Sequence, residues 1–407
     1  MDVDKLIKEK TSSPALSTPE IFNLARDGDG DRERLKAFFA EKKIQHVSDD
    51  YEEQLKEHFQ IQNPSKVYTP EFPKLFEDYV SGLKAKSPLW EQGKWIYYPW
   101  LSTLVHILEE DAFHLVRTAR NQNLITREEQ KKYYNAVIGI AGQSVGNSVT
   151  LAVVLQGGGK HWRIADHDLL ALTNTNRIRV GIQNLGLKKT EMTARQIYEI
   201  NPYATVELFS DGLTPENIDR FFEGPPARPG DLGESKLDII IDEIDNLAIK
   251  YLIRERAKKH RLAVVMAADN GDNAVVDIER YDLDPAAPFF HGRMGRVNYE
   301  MLKNLDKFGI GKMITKHVGP ENVTERMQQS LLEMGKTIVS WPQLGGAALI
   351  NGSAVAYCVR KILNGQPLES NRAFISLDEK LDPNFLKPAE IKKRAKITKD
   401  FRKIFGL

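Results

Sequence analysis

Cys358 is the one cysteine in 407 residues. A single thiol excludes an internal disulfide and any zinc site built from paired CxxC motifs, and it suits a reducing, cytoplasmic setting. Net charge of one sign is missing as well, since 57 basic residues against 56 acidic ones leave +1. Whole-chain electrostatics therefore does not single out nucleic acid or a membrane surface as the main partner. Long apolar runs are lacking. The nearest, Trp341–Val359, is broken by Pro342, Gln343, Asn351 and several glycines and serines, which predicts a turn and a small-residue core helix rather than a membrane span. Met1–Lys10 is charged throughout, so no secretory signal is expected there.

What the chain does contain falls into four stretches. Residues 1–20 are polar and Ser/Thr/Pro-containing, which predicts a flexible N-terminus. Residues 21–119 read as a mainly helical domain, with amphipathic runs at Tyr51–Phe59 and around Leu101–Arg117. Between those runs Trp90, Trp95, Tyr97, Tyr98 and Trp100 are expected to pack as a small core rather than to cage a ligand. Residues 120–370 alternate strands and helices. Thr126 with Glu129 signals a helix start, and strands are predicted at Ala136–Ile140, Thr205–Phe209, Leu237–Ile241 and Leu262–Met266. Helices are predicted at Lys188–Ile200 and Leu247–His260, with a mobile surface loop at Glu223–Lys236. The fold class that follows is α/β: a doubly wound, Rossmann-like, mainly parallel sheet with a helical N-terminal domain. An added antiparallel and crossover region begins near Asn273, and residues 371–407 form a basic tail, read as a solvated helix.

The centre of the domain is Ala136–Arg177. An apolar strand meets a turn of small residues, Gly142, Ser144 and Gly146, then a helix, and a second strand ends at Asp166, twenty residues after Gly146. That spacing suits a phosphate at a helix N-terminus and an acid on ribose hydroxyls. The turn is not G-x-G-x-x-G. As written, Gly142-Gln143-Ser144-Val145-Gly146 also fits the G-x-S-x-G elbow of a serine hydrolase, with His260, His291 and His317 available downstream. The later polar groups favour nucleotide. Asp166, Asp168, Asn174, Arg177, Lys189 and Asp245 all follow strand ends, which converge on one crevice in an open α/β sheet. There they would supply a ribose-binding acid, cations for a triphosphate and a carboxylate for Mg²⁺. Lys188 and Arg179 read as solvated neighbours, and His291 as a lining residue of an acceptor pocket.

In this order the motifs resemble the ThiF/MoeB-like superfamily of ubiquitin-activating-enzyme-like adenylating enzymes. They are Asp166-His-Asp168, Thr173-Asn174-Thr-Asn-Arg177, Gly186-Leu-Lys-Lys189, Ile200-Asn201-Pro202 and Asp242-Glu-Ile-Asp245-Asn246. The segments Trp95–Trp100, Ile278–Pro285, Phe290-His-Gly and Trp341-Pro-Gln-Leu are similar to a poorly characterised bacterial branch without zinc or catalytic cysteines. The resemblance implies that a substrate carboxylate attacks the α-phosphate of Mg·ATP, giving an acyl-adenylate and pyrophosphate. Asp166 would hold the ribose, with Gly142, Ser144, Gly146 and Asp168 around the nucleotide. Asn174 and Arg177 would touch phosphates, Lys189 would neutralise the α-phosphate, and Asp245 would bind Mg²⁺. Arg120, in Arg117-Thr-Ala-Arg120-Asn121, stands where the family places an arginine supplied by a partner subunit, so a homodimer is implied. Cys358 reads as a core thiol, so the adenylate is expected to pass directly to an external nucleophile. The carboxylate would belong to a small acid or to a peptide or small Gly-terminated protein. RNA is a less favoured substrate, suggested by a branch that modifies a transfer-RNA nucleoside, and no membrane partner is expected. The alternative is a non-catalytic nucleotide- or NAD(P)-binding regulator on the same fold.

Overall fold

The computed structural model describes Val3 and residues 17–25, 30–225 and 236–407. Most of the expected flexible N-terminus and of the Glu223–Lys236 loop lies outside the described residues. The chain divides into two compact units, one of residues 1–130 with 194–203, the other of 131–193 with 204–407.

In the first unit, helices α1 (Asp31–Ala40), α2 (Tyr51–Gln62), α3 (Phe72–Lys84) and α4 (Glu110–Arg117) accompany four short strands. These are β1 (Glu20–Phe22), β2 (His46–Asp49), β3 (Lys94–Tyr98) and β4 (Thr103–Ile107), in the order β1-β3-β4-β2. The helices were expected and the sheet was not. β1 is three residues long and β2 is exposed at all four positions, so neither carries an apolar alternation to announce it. Trp95, Tyr97 and Tyr98 lie in β3, while Trp90 and Trp100 fall outside it and Trp90 is exposed. Trp95 stacks on His106 at 4.2 Å between ring centres and Tyr51 covers the other face at 4.0 Å, so these rings pack on one another. Thr126 and Glu129 exchange backbone and side-chain hydrogen bonds of 2.9 and 3.2 Å, the reciprocal cap expected at the start of α5 (Arg127–Asn135).

The second unit runs β5 (Val137–Ala141), α6 (Val145–Leu155), β6 (His161–Ala165), the start of α7 (Lys189–Ile200), whose residues from 194 on belong to the first unit, and β7 (Thr205–Phe209). It continues through α8 (Ile218–Glu223), β8 (Ile239–Asp242), α9 (Leu247–His260), β9 (Ala263–Asn270) and β10 (Asn273–Arg280). Then come α10 (Tyr299–Lys303), α11 (Lys307–Val318), α12 (Glu325–Glu333), α13 (Gly345–Leu363), β11 (Asn371–Ile375), α14 (Leu377–Leu381) and α15 (Pro388–Phe405). The sheet order is β11-β10-β9-β8-β5-β6-β7, parallel from β9 to β7, with β10 and β11 antiparallel. β11 lies in what was read as the start of the tail. It is a half-exposed edge strand, which has no apolar run to mark it.

Ile138, Ile140, Ile239, Ile240 and Ile241 are fully buried, as strands covered on both faces require. The Gly/Ala-rich segment is α13, and its small residues have a reason. A Cβ on Gly352 would lie 2.6 Å from the Ser148 carbonyl oxygen, so glycine lets α13 cross tightly over α6. Among the described residues no helix is long and apolar enough to cross a membrane. From β5 the chain lays down β6 and β7 on one side, then returns to lay down β8 and β9 on the other. The carboxyl ends of β5 and β8 therefore flank a topological switch point, where open α/β sheets bind ligands.

Candidate functional site

A cavity of about 380 Å³ opens at that switch point. Ser144, Asp168, Asn174, Arg177, Lys189 and Asp245 all line it. The turn after β5 shapes one wall. Gly142 has φ +92°, and a Cβ there would lie 2.3 Å from the Glu243 carbonyl oxygen, so the close approach of the β5 and β8 turns needs glycine. The Gln143 amide donates to Asp166 Oδ2 at 2.6 Å and the Asp168 amide to Asp166 Oδ1 at 2.8 Å. Asp166 thus ties the two strand-end turns together beside the cavity.

Ser144 precedes α6 without capping it through its side chain, which leaves amides of the first turn open toward an anion. Its hydroxyl oxygen instead accepts from Arg177 Nε at 2.9 Å. The hydroxyl therefore steadies the guanidinium, which also donates to the Thr173 carbonyl and the Asn176 side chain. An arginine cannot take the proton of a serine nucleophile, so the elbow reading lacks its base. A fluorophosphonate probe is expected to leave Ser144 unlabelled in intact-mass spectrometry, and stoichiometric labelling would restore the hydrolase reading.

Asn174 is buried, and its Oδ1 accepts from the Ala171 amide at 2.9 Å, closing the loop that delivers Arg177. Lys189, 5% exposed, opens α7 and pairs with Asp168 at 2.7 Å. Burial works against the Asp168 anion, but the Lys189 ammonium prevails and holds the carboxyl below its ordinary value. Lys188 points elsewhere, to the Ser210 carbonyl at 3.0 Å.

Two acids of Asp242-Glu-Ile-Asp245-Asn246 have different work. Asp242 is fully buried between Lys250 at 3.1 Å and Arg254 at 2.6 Å. Asp245 lies in the cavity and makes no side-chain hydrogen bond among the described residues. Asp245 is solvent-accessible, yet partial desolvation by the surrounding protein raises its pKa, opposed by Lys250, Lys189 and Arg177. A free carboxylate among cations is what a Mg²⁺-bound phosphate needs, so the donor set fits that ion. Asn246 caps α9, accepting from the Ala248 and Ile249 amides at 3.0 and 3.1 Å.

Glu243, Lys250 and Asp269 also line the cavity and escaped the sequence reading. Asp269 sits near the end of β9, but that strand was expected to stop at Met266, and the Ala-Ala-Asp that follows has weak β propensity. His317 lines the cavity too, although its ring nitrogens turn to Asp277 at 3.4 Å and Arg372 at 3.3 Å, and burial lowers its pKa to about 3. His291 is not among the lining residues. It pairs with Asp277 at 2.5 Å. Cys358 is buried in α13, away from the lining, and burial pushes its thiol up to about 11. Arg120 belongs to the first unit, where it borders a groove with Tyr68, Leu115 and Arg127.

The ThiF family model matches residues 118–280, from ahead of α5 to the end of β10. An uncharacterized protein of Mycobacterium tuberculosis is 34% identical over 318 residues, covering 77% of this chain and 42% of the relative. The tRNA threonylcarbamoyladenosine dehydratase of Escherichia coli is 29% identical over 175 residues, covering 41% of this chain and 60% of the relative. The chain thus spans about half the length of these relatives. The crystal structure of E. coli MccB with ATP is 18% identical, with a TM-score of 0.41 over 61% of this chain and 63% of that one. The matched segment contains the glycine turn, the acid after β6 and the Asp242–Asn246 turn, and it is this segment that carries the likeness to the ThiF family.

Proposed function

We propose that this chain is an ATP-dependent adenylating enzyme that activates a carboxylate of a small acid or of a peptide or protein C-terminus. The observation that carries the reading is one cavity at the switch point holding Arg177, Lys189 and Asp245 beside the open N-terminus of α6. Phosphate cations, a free carboxylate for Mg²⁺ and helix amides suit a nucleoside triphosphate. Arg177, braced by Ser144, would contact phosphate. Lys189 would leave Asp168 and neutralise charge growing on the α-phosphate as the carboxylate oxygen attacks it and pyrophosphate leaves. Asp245 would hold Mg²⁺, which supplies charge neutralisation on the phosphates, and Asp166 and Asp168 would flank the ribose side. Arg120 would come from the second copy in a homodimer. Burial of Cys358 supports passing the adenylate on without a thioester.

The test is pyrophosphate–ATP exchange screened against candidate carboxylates, together with thermal-shift titration. Stabilisation by Mg·ATP over NAD is expected, and Asp245→Ala should abolish the Mg²⁺ dependence while leaving the melting temperature within a few degrees. Preference for NAD, or exchange unchanged in Asp245→Ala, overturns the reading.

A further inference from the structure

Of the four acids that line the cavity, Asp168 pairs with Lys189, Glu243 accepts from the Ala267 amide, and Asp245 makes no side-chain hydrogen bond among the described residues. Outside the lining, Asp242 pairs with Lys250 and Arg254, and Asp277 with Arg372. Asp269 is different. It is 6% exposed and lines the cavity, yet its hydrogen-bond donors are two neutral amides: Gln343 Nε2 at 3.2 Å and Asn351 Nδ2. Those amides fix the carboxylate without neutralising it. Arg177 attracts it only at longer range, and Asp245 repels it. Burial raises the carboxyl to about 6, against those amides and Arg177. The cavity wall also includes Met266, Ile314, Val318, Met334 and Trp341, of which Ile314, Val318 and Trp341 pack in one apolar cluster with Ala268, the residue before Asp269. A fixed, unneutralised carboxylate bordering apolar surface is complementary to an organic cation. Phosphates and a substrate carboxylate would be repelled from it.

We propose that Asp269 and this wall form a subsite for a primary amine with an apolar or aromatic skeleton. The ammonium makes charge-assisted hydrogen bonds to Asp269 and the carbon chain lies along the wall. Its role in the reaction rests on the adenylation reading, in which the amine is the acceptor. The ammonium gives one proton to Asp269, and the freed nitrogen lone pair forms a C–N bond with the acyl carbon. The C–O bond to AMP breaks with its electrons on the phosphate oxygen, and of the two protons still on nitrogen one leaves to water and the other stays on the amide.

The test is titration calorimetry on the full chain with benzylamine, benzyl alcohol as the neutral control, and Mg·ATP in a separate titration. Benzylamine should bind, Asp269→Asn should weaken it about tenfold or more, and benzyl alcohol should bind both proteins equally weakly. Trp341→Ala, which leaves Asp269 in place, should also weaken benzylamine. Retained Mg·ATP affinity in Asp269→Asn shows that the cavity is intact. Absence of benzylamine binding, or an affinity unchanged in Asp269→Asn, overturns the subsite. If Asp269→Asn does not fold, an unchanged affinity in Trp341→Ala overturns it instead. Benzylamine binding through Asp269 with no Mg·ATP binding to the wild-type chain leaves the subsite standing and removes the adenylation reading.

Discussion

Lys189→Ala is expected to lower Mg·ATP-dependent pyrophosphate exchange by about 10²–10³-fold, the usual cost of deleting one preorganised charge at a developing oxyanion. The fold should tolerate the change. Lys189 sits at the first position of α7, and its partner Asp168 has a half-exposed side chain that water can solvate once the ammonium is gone. Asp168 then loses the neighbour that held its pKa down, so its carboxyl should titrate nearer the ordinary value, which carbon-detected NMR can follow. The control is the adjacent residue. Lys188 is turned to the Ser210 carbonyl, and Lys188→Ala should retain exchange within a factor of a few. Equal losses in the two variants would mean that the effect is general electrostatics, and no loss in Lys189→Ala would remove its assigned role.

That pair also marks the limit of legibility. Two adjacent lysines are equivalent in a pattern and become distinct only when the start of α7 turns Lys189 into the cavity and leaves Lys188 on the carbonyl of Ser210, just past β7. The parallel core was legible because both faces of the sheet are covered, so β5, β8 and β9 read as continuous apolar runs between helices. The cap at Thr126 was legible because its chemistry is local. The four strands of the first unit were not, since β1 and β2 are short, and β3 is an aromatic run that looks alike in a helix or a strand. Ser144 was ambiguous for a different reason. Its meaning is set by Arg177, thirty-three positions later, whose guanidinium its hydroxyl accepts. Asp269 was hidden because its partners Gln343 and Asn351 come from beyond α12 and from α13, far along the chain.

Asp242→Ala should be the most destabilising change at the site, by about 3–5 kcal/mol, the cost of breaking a buried ion pair by removing one partner. Asp242 and Arg254 are both fully buried, and Arg254 reaches Glu279 at 2.7 Å on its other side. Without Asp242, Lys250 and Arg254 would lose the carboxylate they share at ion-pair distance, leaving Arg254 with Glu279 and Lys250 with no ion-pair partner among the described residues. A loss of that size is a large share of the stability of an ordinary domain. Burial by itself would push the Asp242 carboxyl up, but Lys250 and Arg254 outweigh it and the pKa falls below the ordinary value. A depressed folded-state pKa stabilises the fold above the unfolded value of about 4, and that stabilisation is lost as pH falls through the folded value. Wild type should therefore lose stability on acidification below about pH 4 more steeply than Asp242→Asn, which has no such carboxylate to protonate. Urea melts at pH 7 and along an acid series check both statements. Asp245→Ala is the contrast: the same residue type three positions on, free in the cavity, should cost little stability and all of the Mg²⁺-dependent activity. If the two variants melted alike, the division between a structural and a metal-binding acid within this one turn would be wrong.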